Sequence, residues 1–206
     1  MFHVSSAFST RRVRAFSGLC VAGLFVGLSA CSQAPSTTNL TTDSTALDSS
    51  TVASSPQAGL LPLGEANEAK KTQSAGAPAQ LVVTTMRTGT HEGFDRVVFE
   101  LQGQGTPGWF ADYVDAPTQQ ASGHPIEVEG DTFLNINIDG TTYPFELGIE
   151  DPVLAPVPGH GPVVQQVVNG GTFEGHSQFI IGMKGKHPHS IELLDNPTRV
   201  VVDIRG

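Results

Sequence analysis

The sequence predicts an all-β fold, a single β-sandwich domain over residues 80–206, preceded by a leader and a spacer with no core of its own. Three observations carry this. From Leu81 onward the chain breaks into short β-rich runs separated by Gly, Pro and Asp. No window of helical length shows an apolar repeat near 3.6 residues. One strand-like stretch occurs twice: Asp95-Arg96-Val97-Val98-Phe99-Glu100-Leu101-Gln102-Gly103 returns as Thr198-Arg199-Val200-Val201-Val202-Asp203-Ile204-Arg205-Gly206.

The leader is residues 1–30. A basic n-region holding Arg11, Arg12 and Arg14 precedes an apolar run from Phe16 to Leu28, too short to span a bilayer. The run ends in Leu28-Ser29-Ala30-Cys31, which resembles the lipobox of bacterial lipoproteins. That resemblance implies a lipoprotein signal peptide. Cleavage before Cys31 would make a diacylated (palmitate-type) cysteine the mature N-terminus and membrane anchor, and two acyl chains suffice for stable anchoring. Arg11-Arg12 is similar to a twin-arginine signal, but the hydrophobic positions after it fit that signal poorly.

The net charge of −9 hides an asymmetry. Residues 1–30 carry three arginines and no acid, so the remainder holds eight basic against twenty acidic residues, a charge of −12. A surface that acidic repels phosphate backbones, which excludes nucleic acid as a partner. Both cysteines, Cys20 and Cys31, precede the foldable part, so neither a disulfide framework nor a Cys-ligated zinc site is expected there.

Residues 31–79 are rich in Ser, Thr, Ala and Pro, with few aromatics and no periodicity. Such a segment cannot bury enough apolar surface to offset its ordering entropy, so a disordered tether is expected. As a random coil it would span about 35–42 Å r.m.s.. Only Leu60-Leu61-Pro62-Leu63 is apolar, and it is too short to form a core.

Within the domain, strands are expected at Leu81–Arg87, Arg96–Gln102, Trp109–Val114, Ile126–Glu129, Thr132–Asp139, Thr141–Leu147, Val163–Val168, Ser177–Met183, Ser190–Leu194 and Arg199–Arg205. Turn chemistry separates them at Glu129-Gly130, Asp139-Gly140, Asn169-Gly170-Gly171 and Asp195-Asn196-Pro197. Residues 126–147 read as a meander, and Gly148–Pro162 as a long surface loop. Strand alternation puts Val97, Phe99 and Leu101 on one face and Arg96, Val98, Glu100 and Gln102 on the other. The second copy repeats this, with Val200, Val202 and Ile204 set against Arg199, Val201, Asp203 and Arg205. Whether the two copies are neighbours in one sheet is not legible.

Arg87-Thr-Gly-Thr-His91-Glu92-Gly93-Phe94-Asp95-Arg96, then Gly171-Thr-Phe-Glu-Gly175, then Pro197-Thr-Arg199-Val-Val-Val-Asp203 resembles an AMIN-like domain, a type found in actinobacterial exported proteins and lipoproteins. The resemblance covers roughly residues 80–206. AMIN domains proper are β-sandwiches that target cell-wall amidases and secretin subunits to the envelope. It therefore implies a non-catalytic module binding peptidoglycan or an envelope protein, with no cofactor. No amidase domain accompanies the module in this sequence.

Candidate sites stand beside plainer readings. Asn135-Ile-Asn137-Ile-Asp139-Gly140 with Glu146 approaches a calcium-loop pattern, yet the alternating Leu134, Ile136 and Ile138 mark a strand where an EF-hand needs helices. Gly175-His176-Ser177-Gln178-Phe179 approaches a nucleophile elbow, but Phe179 stands where a Gly belongs. His91, His124, His160, His176, His187 and His189 are scattered beside Gly and Pro, without metal-site spacing. Trp109 and Tyr113 share a face and suit stacking on sugar rings, with core packing as the plain alternative. Arg96, Glu100, Arg199 and Asp203 form the candidate ligand face, since arginine fits carboxylates bidentately; surface ion pairs are the plain alternative. The expected function is a membrane-anchored, exported envelope lipoprotein binding a cell-wall component. The alternative is a carrier or sensor of a small apolar ligand held inside the sandwich, which requires a cavity there.

Overall fold

Alternation of apolar residues builds both layers of the fold. The structure, a computed structural model, describes Gly59 and residues 61–206. The leader, Cys31 and the tether up to residue 58 lie outside the described residues. The strands are β1 (Lys71–Gln73), β2 (Gly76–His91), β3 (Phe94–Thr106), β4 (Gly108–Val114), β5 (Thr132–Asp139), β6 (Val157–Pro158), β7 (Val164–Phe173), β8 (His176–Met183), β9 (His189–Leu194) and β10 (Arg199–Arg205).

They form two antiparallel sheets, β2-β3-β10-β9 and β1-β4-β5-β8-β7-β6. The facing sides carry the expected residues: Val97, Phe99 and Leu101 from β3, Val200, Val202 and Ile204 from β10, Leu134, Ile136 and Ile138 from β5. Phe99 meets Phe179 of β8 across the sandwich with ring centroids 4.5 Å apart. Such a pair contributes about 0.5–1.5 kcal/mol beyond the area it buries. The all-β sandwich expected from the sequence is the fold observed.

Several elements differ from expectation. Ile126–Glu129 is not a strand: Ile126 N–H donates to Pro117 O (2.9 Å) and Glu129 N–H to the Gln166 side chain (3.0 Å), so no neighbouring strand pairs with it. It belongs to a loop laid over the outer face of the six-stranded sheet. Gln120 N–H donates to Gln178 Oε1 (3.1 Å) and Gln178 Nε2 to Thr118 O (2.9 Å). Thr141–Leu147 is not a strand either. After two backbone bonds, Thr141 N–H to Gly175 O and Thr142 N–H to Leu81 O, Pro144 opens a 3-10 turn over Pro144–Leu147. The meander over 126–147 is therefore reduced to β5.

Asn169-Gly170-Gly171 is a bulge inside β7 and not a turn; the turn into β8 is Glu174-Gly175, both at positive φ (47° and 85°) as a tight hairpin requires. The Gly148–Pro162 loop contributes β6, an edge strand pairing Val157 with Val167. Buried Asp95 fastens the chain just beyond that loop by accepting from Val163 N–H and Val164 N–H, both at 2.9 Å.

The larger correction concerns the tether. Residues 61–73, expected without structure, run as a strap from one sheet to the other. Leu63 N–H donates to Asp203 Oδ2 (2.6 Å), Arg205 Nη2 donates to Leu63 O and Gly64 O (3.3 and 3.0 Å), and Ser190 Oγ donates to Leu63 O. Asn67 then exchanges backbone hydrogen bonds with His189 (3.2 and 2.9 Å), capping the edge of β9. Lys71–Gln73 finally pairs with β4 of the other sheet as β1. Leu61 itself stays 73 % exposed and Leu63 is half-buried, and the strap's hydrogen bonds run through its backbone polar groups.

Candidate functional site

The twin strands β3 and β10 are antiparallel neighbours, in a register that sets Arg96 opposite Asp203 and Glu100 opposite Arg199. Two of these four groups, Arg96 and Asp203, are not displayed to solvent as a ligand face. Arg96 and Asp203 are 5 % and 1 % exposed and bond bidentately, Nε to Oδ1 at 2.6 Å and Nη2 to Oδ2 at 2.8 Å. Arg96 Nη2 also donates to Leu61 O (3.1 Å), so the strap lies over the pair. Glu100 faces Arg87 at 3.5 Å, and Arg199 turns back onto Pro197 O (3.0 Å) and Asp195 O (3.2 Å). The alternation places these side chains away from the core, as expected; the strap removes Arg96 and Asp203 from solvent, while Glu100 and Arg199 stay partly exposed.

Trp109 and Tyr113 face inward. Trp109 is 5 % exposed within the core, and half-buried Tyr113 donates its hydroxyl to His187 O while its ring meets His189 edge-on at 5.4 Å. Burial raises the Tyr113 pKa above its ordinary value. The Trp109 ring is enclosed by the core, and Tyr113 is partly covered by its contact with His189. Asn135 and Asn137 lie on β5 and bond to Gln178 Nε2 (2.9 Å) and Gln120 Nε2 (2.7 Å). Ser177 lies in β8 following a hairpin turn, without the strand–turn–helix setting of an elbow. Where an apolar ligand would sit between the sheets, Phe99, Phe179, Leu134 and Ile136 fill the space at zero exposure.

An open cleft of about 390 Å3 lies where β2 meets β7 and β8, lined by the turn at Tyr143–Phe145. Tyr143 and Phe145 are 39 % and 74 % exposed, their rings within 10° of parallel and 5.5 Å apart. They are held rigidly from below. Thr142 N–H bonds to Leu81 O (2.8 Å), Glu146 N–H to Tyr143 O (3.0 Å), and Gly148, at φ 66°, closes the turn onto Phe145 O and Pro144 O. Opposite the aromatics stand Asp151, Asn169, Thr172 and Ser177. The sequence reading missed this site because Tyr143, Phe145 and Leu147 alternate as a strand does.

The AMIN-like domain family matches residues 81–206, well over half of the chain. The chain belongs to the AMIN-like domain family. This AMIN-like match begins at Leu81, the first buried residue of β2, so the strap precedes it. No curated protein and no solved structure matches the chain. AMIN-like domains carry, in general terms, a cell-wall-associated binding role in exported, envelope-associated proteins. Among the described residues no helix is long and apolar enough to cross a membrane, and no three His, Cys, Asp or Glu side chains converge as a metal site.

Proposed function

We propose that this AMIN-like chain is a non-catalytic envelope lipoprotein, anchored through lipid on Cys31, whose sandwich binds peptidoglycan or a protein that works on it. Membership of the AMIN-like family is the observation that carries the reading. The cleft beneath Tyr143 and Phe145 supports it as the place of contact, being open, rigid and mixed in polarity. The Leu28-Ser29-Ala30-Cys31 sequence supports the anchor.

Purified protein mixed with cell-wall sacculi should sediment with them. Because residues 31–206 carry a charge of −12, the bound fraction should hold or rise as salt increases. Protein left in the supernatant at both low and moderate salt would overturn the reading. Cys31→Ala should move the protein from the membrane fraction to the soluble fraction of expressing cells, and membrane retention by the variant would remove the lipid anchor from the proposal.

A further inference from the structure

The chain has no lysine or arginine from Val97 to Met183, a stretch that supplies β4 through β8 and most of the cleft. Among the described residues no cation lines the cleft, and Asp151 is its one charged lining group. The segment bearing the aromatics also carries Glu146 and Glu150. A site built this way cannot recognise a carboxylate or a phosphate by pairing charge with charge, and repels both.

Its hydrogen-bonding groups are directional. Thr141 Oγ1 donates to Ile138 O (3.4 Å) and Ser177 Oγ donates to Thr141 Oγ1 (3.0 Å). With that proton committed, the 2.8 Å contact between Thr172 and Ser177 is donated by Thr172. Thr172 thus presents only acceptor lone pairs to the cleft, as does the Asp151 carboxylate. Asn169 Oδ1 accepts from Gly171 N–H (2.9 Å), which leaves its NH2 group to donate. Above them lies the exposed aromatic step of Tyr143 and Phe145. Two more exposed apolar residues, Val153 and Phe173, neighbour lining residues in the chain. The complement is a neutral molecule with one apolar face, several hydroxyl donors and a carbonyl-type acceptor.

We propose that the cleft binds uncharged, N-acylated sugar rings stacked on Tyr143 and Phe145, so that the glycan strand of the wall and not its acidic peptide is what the domain holds. This rests on the wall-binding reading above and assigns it a ligand class and a place.

The test is calorimetric titration of the purified chain with an N-acetylglucosamine tetramer, and separately with a sugar-free stem peptide. The tetramer should bind, with an affinity nearly independent of salt. Phe145→Ala should weaken it by about tenfold, and Phe145→Trp should retain it. Phe145 is too exposed for either change to unfold the protein. Binding of the stem peptide but not the tetramer, or a Phe145→Ala variant as tight as the parent, would overturn the proposal. If sacculi still retain the protein while the tetramer does not bind, the sugar cleft is wrong and the envelope reading stands. If the tetramer binds and sacculi do not, the cleft is a sugar site and the envelope reading fails.

Discussion

Asp203→Asn is expected to lower the free energy of unfolding by about 3–5 kcal/mol, the usual cost of leaving one member of a buried ion pair without its counter-charge. Arg96 would remain 5 % exposed with its bidentate partner neutralised, and Leu63 N–H would lose a charged acceptor. Urea unfolding measures the loss directly. Limited proteolysis should show new cleavage near Leu61–Gly64, because the strap is fastened at that carboxylate. Arg199→Ala, where the guanidinium only meets loop carbonyls, should change stability by less than about 0.5 kcal/mol. If Asp203→Asn costs no more than Arg199→Ala, the strap and the pair beneath it contribute little to the fold. Replacing both partners by apolar residues should recover much of the loss, since desolvation offsets most of the pair's attraction.

The second large effect is an acid sensitivity placed in one side chain. His189 is fully buried, neither ring nitrogen is hydrogen-bonded among the described residues, and its pKa is lowered from 6.5 to about 4. Burial is the main cause; Lys71 and Lys186 push in the same direction and Asp112 opposes them. The folded protein therefore binds fewer protons than the unfolded chain between those two values. Stability contributed by neutral His189 is complete above pH 6.5, falls as pH drops through the window, and levels off below about 4. The shift corresponds to about 3 kcal/mol at most. Carboxylates titrate partly in the same range, so the contribution is read as a difference: His189→Phe should lose less stability than the parent between pH 7 and 4. Parallel pH profiles for the two proteins would show that His189 is not the sensitive group.

Where one face of a strand is buried, the sequence is readable. Val97, Phe99 and Leu101, and likewise Leu134, Ile136 and Ile138, point inward as their alternation requires. Parity also placed Arg96 and Asp203 away from the core. It could not reveal that a second layer covers them, because the strap is held through backbone groups of Leu61, Leu63 and Gly64 that leave no mark on hydropathy. Trp109 and Tyr113 show the converse: their common face was legible, its direction was not. The cleft was hidden by a true ambiguity. Tyr143, Phe145 and Leu147 carry strand spacing, and only Pro144 with Gly148 turns them into a solvent-facing step. Sequence reading thus recovered the layers and lost the groups that operate at their margins.

The strap also decides where a pull on the chain is felt. It crosses β3 and β10 at Arg96 and Asp203 before it reaches the edge at β9 and becomes β1, whereas the cleft is lined by β2, β7 and β8. A pull applied through residues 61–63 would reach Arg96 and Asp203 first, and neither of them lines the cleft.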